Sequence, residues 1–172
     1  MSSCCFQFES IEIEVKSVKE CCEIDLQAGD SFAPTSIIPD KLCPFLYHST
    51  LPYLEAIENG ASFNLPGKNS IVVQCPNPEV GIAVKIYTKN SDNTIIEIHS
   101  KKSECPYYDY RVNDDWQISR KKKIFCRRAY DALFPYLNAL SSQIRANVVR
   151  EDVVSATCPG YPDFVVFNIR CK

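Results

Sequence analysis

The chain has 172 residues, with 19 basic and 21 acidic side chains for a net charge of -2, and no apolar run long enough to span a bilayer. With five glycines, no Gly-x-Gly-x-x-Gly and no Gly-Lys-Ser/Thr loop, it lacks the nucleotide-binding signatures. The opening MSSCCFQFES has neither the charged nor the apolar region of a signal peptide, so the ten cysteines are expected as reduced thiols or metal ligands in a cytoplasmic protein, not as a disulfide frame.

The first element is legible in SIEIEVKSVK (10–19), where Ile11, Ile13 and Val15 alternate with Glu12, Glu14 and Lys16, the period of a half-buried strand. Gly29-Asp30 supplies a turn before a short second strand, DSFAP. Pro44 fits the first turn of a helix, since a missing N–H costs nothing there. Leu46, Leu51, Leu54 and Ile57 share one face, and Asn59-Gly60 ends the helix. Pro52 is expected to kink it or to split it into two short helices. SIVVQC (70–75) and GIAVKIYT (81–88) read as strands, and the polar TKNSDN (88–93) reads as a linker.

The same series then runs again. TIIEIHSKK (94–102), DWQIS, a helix broken by Pro135, DVVSATC (152–158) and DFVVFNIR (163–170) follow at an offset of 83 residues. Cys22, Cys43 and Cys75 meet Cys105, Cys126 and Cys158, and the Pro-Tyr-Leu of 52–54 meets that of 135–137. The register slips once, to 84, where AGDSF (28–32) matches VNDDW (112–116). Chance does not align three cysteines and a tripeptide, so the chain is read as a tandem duplication. The expectation is an α+β protein built from two ββαββ units, 10–88 and 93–171, with helices on mainly antiparallel sheet. The two are expected to pack as one compact pseudo-symmetric body, because a unit of that size buries a low fraction of its surface alone.

In repeat one the motif is Cys22, Gly29-Asp30 with Phe32, Leu42-Cys43-Pro44, Leu51-Pro52-Tyr53 and Cys75-Pro76-Asn77-Pro78. It resembles a family of small uncharacterised microbial three-cysteine domains, here in tandem, with Asn77 where that family has Asp. Repeat two departs further, with Asn113-Asp114 and Trp116, Phe125-Cys126-Arg127, and Cys158-Pro159-Gly160-Tyr161-Pro162. The resemblance implies the unit and its three-cysteine pattern and carries no mechanism.

Two constellations bear on function. The six repeated cysteines, Cys22, Cys43, Cys75, Cys105, Cys126 and Cys158, are candidate ligands for zinc or an iron–sulfur cluster, since thiolates are the soft ligands such centres take. On that reading Cys22, Cys43 and Cys75 converge in one unit and Cys105, Cys126 and Cys158 in the other. Spacings of 21 and 32 positions, the lack of any Cys-x-x-Cys and unmatched His48 and His99 weigh toward cysteine as a compact core residue instead. The second constellation is RKKKIFCRR (120–128), where Arg120, Lys121, Lys122, Lys123, Arg127 and Arg128 offer a docking site for an acidic protein or anionic ligand. It lacks the interleaved aromatics that single-stranded nucleic acid calls for. Residues 1–88 carry 5 basic and 11 acidic side chains and residues 89–172 carry 14 and 10, so the charge is divided along the chain.

The function expected first is a thiolate-based metal or iron–sulfur binding module, non-catalytic or redox-accessory. The alternative is a structural or regulatory interaction module with buried cysteines and a basic docking loop, and a thiol-dependent enzyme ranks third. Cys126, beside that loop at a helix start, is expected to be the most reactive thiol of the six.

Overall fold

The computed structural model describes residues 11–18, 26–63, 70–90, 93–105, 108–119, 125–141, 153–159 and 165–171. In chain order the elements are β1 (Ile11–Val18), β2 (Ser31–Phe32), a 3-10 turn (Pro34–Ile37), α1 (Pro44–Glu58), β3 (Ser70–Gln74) and β4 (Ala83–Asn90). They continue with β5 (Asn93–Ser100), β6 (Asp115–Ser119), α2 (Arg127–Ser141), β7 (Val153–Thr157) and β8 (Val165–Cys171). The protein is α+β, and its strands form two antiparallel four-stranded sheets, ordered β2-β1-β8-β7 and β3-β4-β5-β6.

The compact units do not follow the boundaries 10–88 and 93–171. One draws its described residues from 11–38 and 125–171, the other from 39–119. The run at 88–93 is not a linker between bodies. Residues 88–90 end β4, Asn93 opens β5, and the two strands pair down to Asn90 opposite Asn93. A run rich in Asn, Ser and Asp suits the short connection of two antiparallel strands as well as a linker.

In the first unit the alternation of β1 is realised. Ile11, Ile13 and Val15 are buried against Val165, Phe167 and Ile169, while Glu12 and Glu14 face outward to the Arg170 guanidinium at 2.7 and 3.4 Å. Helix α2 covers this sheet with Tyr130, Leu133, Phe134, Leu137 and Leu140, and Phe125 packs edge-on against Phe32 at 5.7 Å.

In the second unit α1 lies on β3 and β4 and buries Leu46, Tyr47, Leu51, Leu54 and Ile57 near Val73, Val84 and Ile86. It is one helix running through exposed Pro52, and α2 likewise runs through Pro135. The proline sits on the solvent side, where water can serve the carbonyl it leaves unpaired, so the helix is not divided. Its end is the expected cap. Gly60 adopts φ +86°, its N–H reaches the Ile57 carbonyl at 3.1 Å and that of Ala61 reaches Ala56 at 2.9 Å.

The pairings of the two sheets recur at fixed sequence offsets. Ile13 opposite Ile169 recurs as Ile96 opposite Ile86, and Ala156 opposite Phe167 as Val73 opposite Val84. Both long pairs carry an irregularity at the same place, between Val15 and Ser17 and between Ala83 and Val84 opposite Ile98 and Ser100. The turn before the short strand recurs at 84. Gln27 N–H donates to Asp30 Oδ2 at 2.8 Å and Arg111 N–H to Asp114 Oδ2 at 2.7 Å.

Candidate functional site

The second unit gathers the chemistry. Cys43 takes the N-cap position of α1 and is 9% exposed. Cys75 follows β3, where its N–H donates to the Ile82 carbonyl at 2.8 Å and starts the turn back into β4. Cys105 lies in the segment after β5, and that segment is fastened at both ends. The N–H groups of Lys102 and Ser103 reach the Val80 carbonyl at 3.2 and 3.1 Å, and Ser103 Oγ donates to the Glu79 carbonyl at 2.8 Å. Further on, Tyr110 Oη accepts the Cys43 N–H at 2.6 Å and donates to the Lys41 carbonyl at 3.0 Å.

In this setting the Cys43 and Cys75 thiols are both perturbed. Burial pushes the Cys43 thiol up to about 11, against the pull of the Leu46 and Phe45 N–H groups at the helix start, and charge on Cys75 or Cys105 raises it further. Cys75 is raised by burial and by Cys105, with the Asn77 N–H opposing. Burial and then Cys43 and Cys105 push the Tyr108 phenol up to about 12, and Tyr110 is raised for the same first cause.

The expected triplet of Cys22, Cys43 and Cys75 includes a residue outside the described ones. Cys105 joins Cys43 and Cys75, because β5 pairs with β4 and carries the Cys105 segment into their unit. Cys126 precedes α2, where its carbonyl accepts the Tyr130 N–H at 2.9 Å, and Cys158 follows β7 with its N–H on Val165 O at 2.9 Å. Both belong to the other unit, and Cys22 lies outside the described residues. Among the described residues no group of three or more His, Cys, Asp and Glu is disposed to hold a metal ion. Of the basic run, Arg127 is buried at 9% exposure and Arg128 is exposed, while Arg120, Lys121, Lys122 and Lys123 lie outside the described residues.

Sequence reasoning passed over the aromatic wall beside the thiols. Tyr108 stacks on Tyr110 with centroids 5.2 Å apart, and Trp116 meets Tyr110 edge-on at 5.5 Å. Trp116 Nε1 donates to the Asp40 carbonyl at 2.9 Å, a second tie from this segment to the entry of α1. These rings and the flanking Asp40, Lys41, Asp109, Arg111, Asp114 and Asp115 line an open groove of about 600 Å³. Four carboxylates face two cations there, and the Asp109–Arg111 pair, at 3.9 Å and largely exposed, holds the groove together little. The available signal was a departure from the offset match. At the offset of 84, Tyr110 aligns with Leu26, and Trp116, the sole tryptophan, aligns with Phe32.

No protein-family model, curated protein or solved structure matches the chain. The resemblance to three-cysteine domains rests on its motifs alone. No helix among the described residues is long and apolar enough to cross a membrane.

Proposed function

We propose that the protein is a non-enzymatic interaction module, a tandem ββαββ duplication whose copies exchange halves. Cys43 serves the fold and the groove of the second unit serves a partner. The duplication is supported by pairings, a strand irregularity and a turn that recur at offsets of 83 and 84. The exchange is supported by the sheet orders. Strands β1 and β2 of the first copy join β7 and β8 of the second, and β3 and β4 join β5 and β6.

The groove carries the interaction reading. It is walled by Tyr108, Tyr110 and Trp116 and rimmed by more carboxylates than cations. Aromatic faces beside carboxylates favour a ligand bearing positive charge, such as a lysine- or arginine-rich peptide. Of the described residues of the basic run, Arg127 is buried and Arg128 is exposed. Against thiol catalysis stands Cys43 itself. With its thiol pushed up to about 11, only about one molecule in ten thousand carries the thiolate at neutral pH.

Trp116 is the sole tryptophan, so its emission reads the groove directly. Titrating the full chain with a lysine-rich peptide should shift or quench that emission, and added salt should weaken the effect. An absent response, or an equal response to a glutamate-rich peptide, overturns the reading. A soft-metal reading of Cys43, Cys75 and Cys105 keeps their shared neighbourhood in its favour. Stoichiometric zinc or iron in anaerobically purified protein would restore it as the first reading.

A further inference from the structure

We propose that Cys75 and Cys105 form an oxidisable pair: a two-electron oxidant such as hydrogen peroxide joins them in a disulfide that ties the end of β3 to the segment after β5, while Cys43 stays a thiol. The inference goes beyond the groove reading and does not depend on it.

Backbone hydrogen bonds bring the two segments that carry these residues together. Cys75 opens the turn that closes through Ile82, and the segment carrying Cys105 is fastened to that same turn. Two N–H groups and one hydroxyl, from Lys102 and Ser103, reach the carbonyls of Glu79 and Val80, and Cys105 follows Ser103 by two residues. The approach is so close that a Cβ placed on Gly81 would meet Lys102 Cβ at 2.7 Å. Further along the chain, the Tyr110 hydroxyl is tied to the Cys43 N–H at 2.6 Å, within the same unit. The effect of charge at Cys105 on the Cys75 thiol fits this arrangement.

Access separates the pair from the third thiol. Cys75 and Cys105 are each partly exposed, whereas Cys43 is buried. Oxidation follows thiolate character and exposure, so an oxidant in solution meets the first two. One thiolate attacks a peroxide oxygen, the O–O bond breaks, and a sulfenic acid and one water result. The neighbouring thiolate then attacks that sulfur, the S–O bond breaks, and the second water leaves. Two thiols and one peroxide give one disulfide and two waters, with both thiol protons in the water. Because Cys75 comes from one sequence repeat and Cys105 from the other, the bond would join the repeats covalently within one sheet unit.

The test uses the full chain, reduced and then exposed to limiting hydrogen peroxide, with peptide mapping under non-reducing conditions. The expected result is a Cys75–Cys105 cross-linked peptide as the dominant product, lost on dithiothreitol treatment and absent from C75S and C105S. It should persist in C43S, and in wild-type chain Cys43 should alkylate only after denaturation. A dominant link from Cys43 to either partner, a dominant link between chains, or sulfinic acid at Cys75 or Cys105 without the disulfide overturns the proposal.

Discussion

The Tyr110 hydroxyl stands 2.6 Å from the Cys43 nitrogen and joins the start of α1 to a segment 67 residues further along the chain. The same oxygen donates to the Lys41 carbonyl, so one phenol satisfies both a donor and an acceptor at the helix entry. Lys41 itself sits at φ +60°, a left-handed conformation uncommon for a side chain of its size, held between these two ties. The 108–116 segment thus closes the N-terminal end of α1, and the groove lies where it does so.

Removing the hydroxyl while keeping the ring tests the tie. In Y110F the Cys43 N–H and the Lys41 carbonyl both lose a buried partner, and leaving such groups unsatisfied costs about 1–3 kcal/mol. Urea denaturation should show a lower midpoint at unchanged slope. A midpoint shift within error would mean that water replaces the phenol and the tie is dispensable.

Cys43 gives the protein a dependence on alkaline pH with a definite sign. Its thiol is pushed from 9.0 up to about 11 in the folded state, so the folded state holds this proton more tightly than the unfolded one. The resulting stabilisation is fully present below pH 9 and is lost as pH rises toward 11. Its size is on the order of 2–3 kcal/mol, at 1.36 kcal/mol per unit of pKa. Cys75 and Tyr108 are raised too and add to the loss in the same direction. Urea midpoints between pH 7 and 11 should stay level and then fall, and C43A should fall less steeply. A midpoint rising through this range would reverse the assignment.

Two glycines with positive φ should respond differently to alanine. Gly60 has φ +86° with open space around its α-carbon, so G60A meets only the left-handed penalty of about 1–2 kcal/mol. Gly81 has φ +59° and would drive its new methyl to 2.7 Å from Lys102 Cβ, so the strand-end contact must also give way. G81A should therefore be the more destabilising by thermal melt. Equal losses would show that Lys102 moves aside freely.

What could be read in the chain, and what could not, divides along physical lines. The burial of Ile11, Ile13 and Val15, the Gly60 cap and the placing of Cys43 and Cys126 at helix starts follow from neighbours close in sequence. Partner choice does not. By the repeat alone β4 could pair with β1 or with β5, since the two strands present like residues, Ile13 against Ile96 and Glu14 against Glu97. Loop closure separates them. Reaching β5 takes a two-residue connection, whereas reaching β1 means closing a loop of more than sixty, and longer closures cost more entropy. Choosing the near partner leaves β1 for β8, and it is this choice that moves Cys105 into the company of Cys43 and Cys75. Reading 88–93 as a linker hid that consequence. The groove escaped for another reason: Tyr110 and Trp116 align at the offset of 84 with the unlike Leu26 and Phe32, and a search for matches passes over differences.

Because each sheet takes strands from both halves of the chain, the connection between β4 and β5 is the informative place to cut. Cleaving between residues 91 and 92 leaves one fragment with β1, β2, α1, β3 and β4, and another with β5, β6, α2, β7 and β8. Each fragment then holds two strands of each sheet, and the central pairs β1–β8 and β4–β5 are both divided between fragments. Those are the pairs that bury Ile13 against Ile169 and Ile96 against Ile86. Neither fragment alone should show the cooperative melt of the full chain, and an equimolar mixture should recover it with a concentration-dependent midpoint, as association requires. The competing outcome is also defined, because in an isolated fragment β4 can turn back onto its own β1 and complete a four-stranded sheet ordered β2-β1-β4-β3. If fragment 1–91 melts alone as sharply and as high as the full chain, that closure is as good as the observed pairing. The two units would then not depend on strands from both halves.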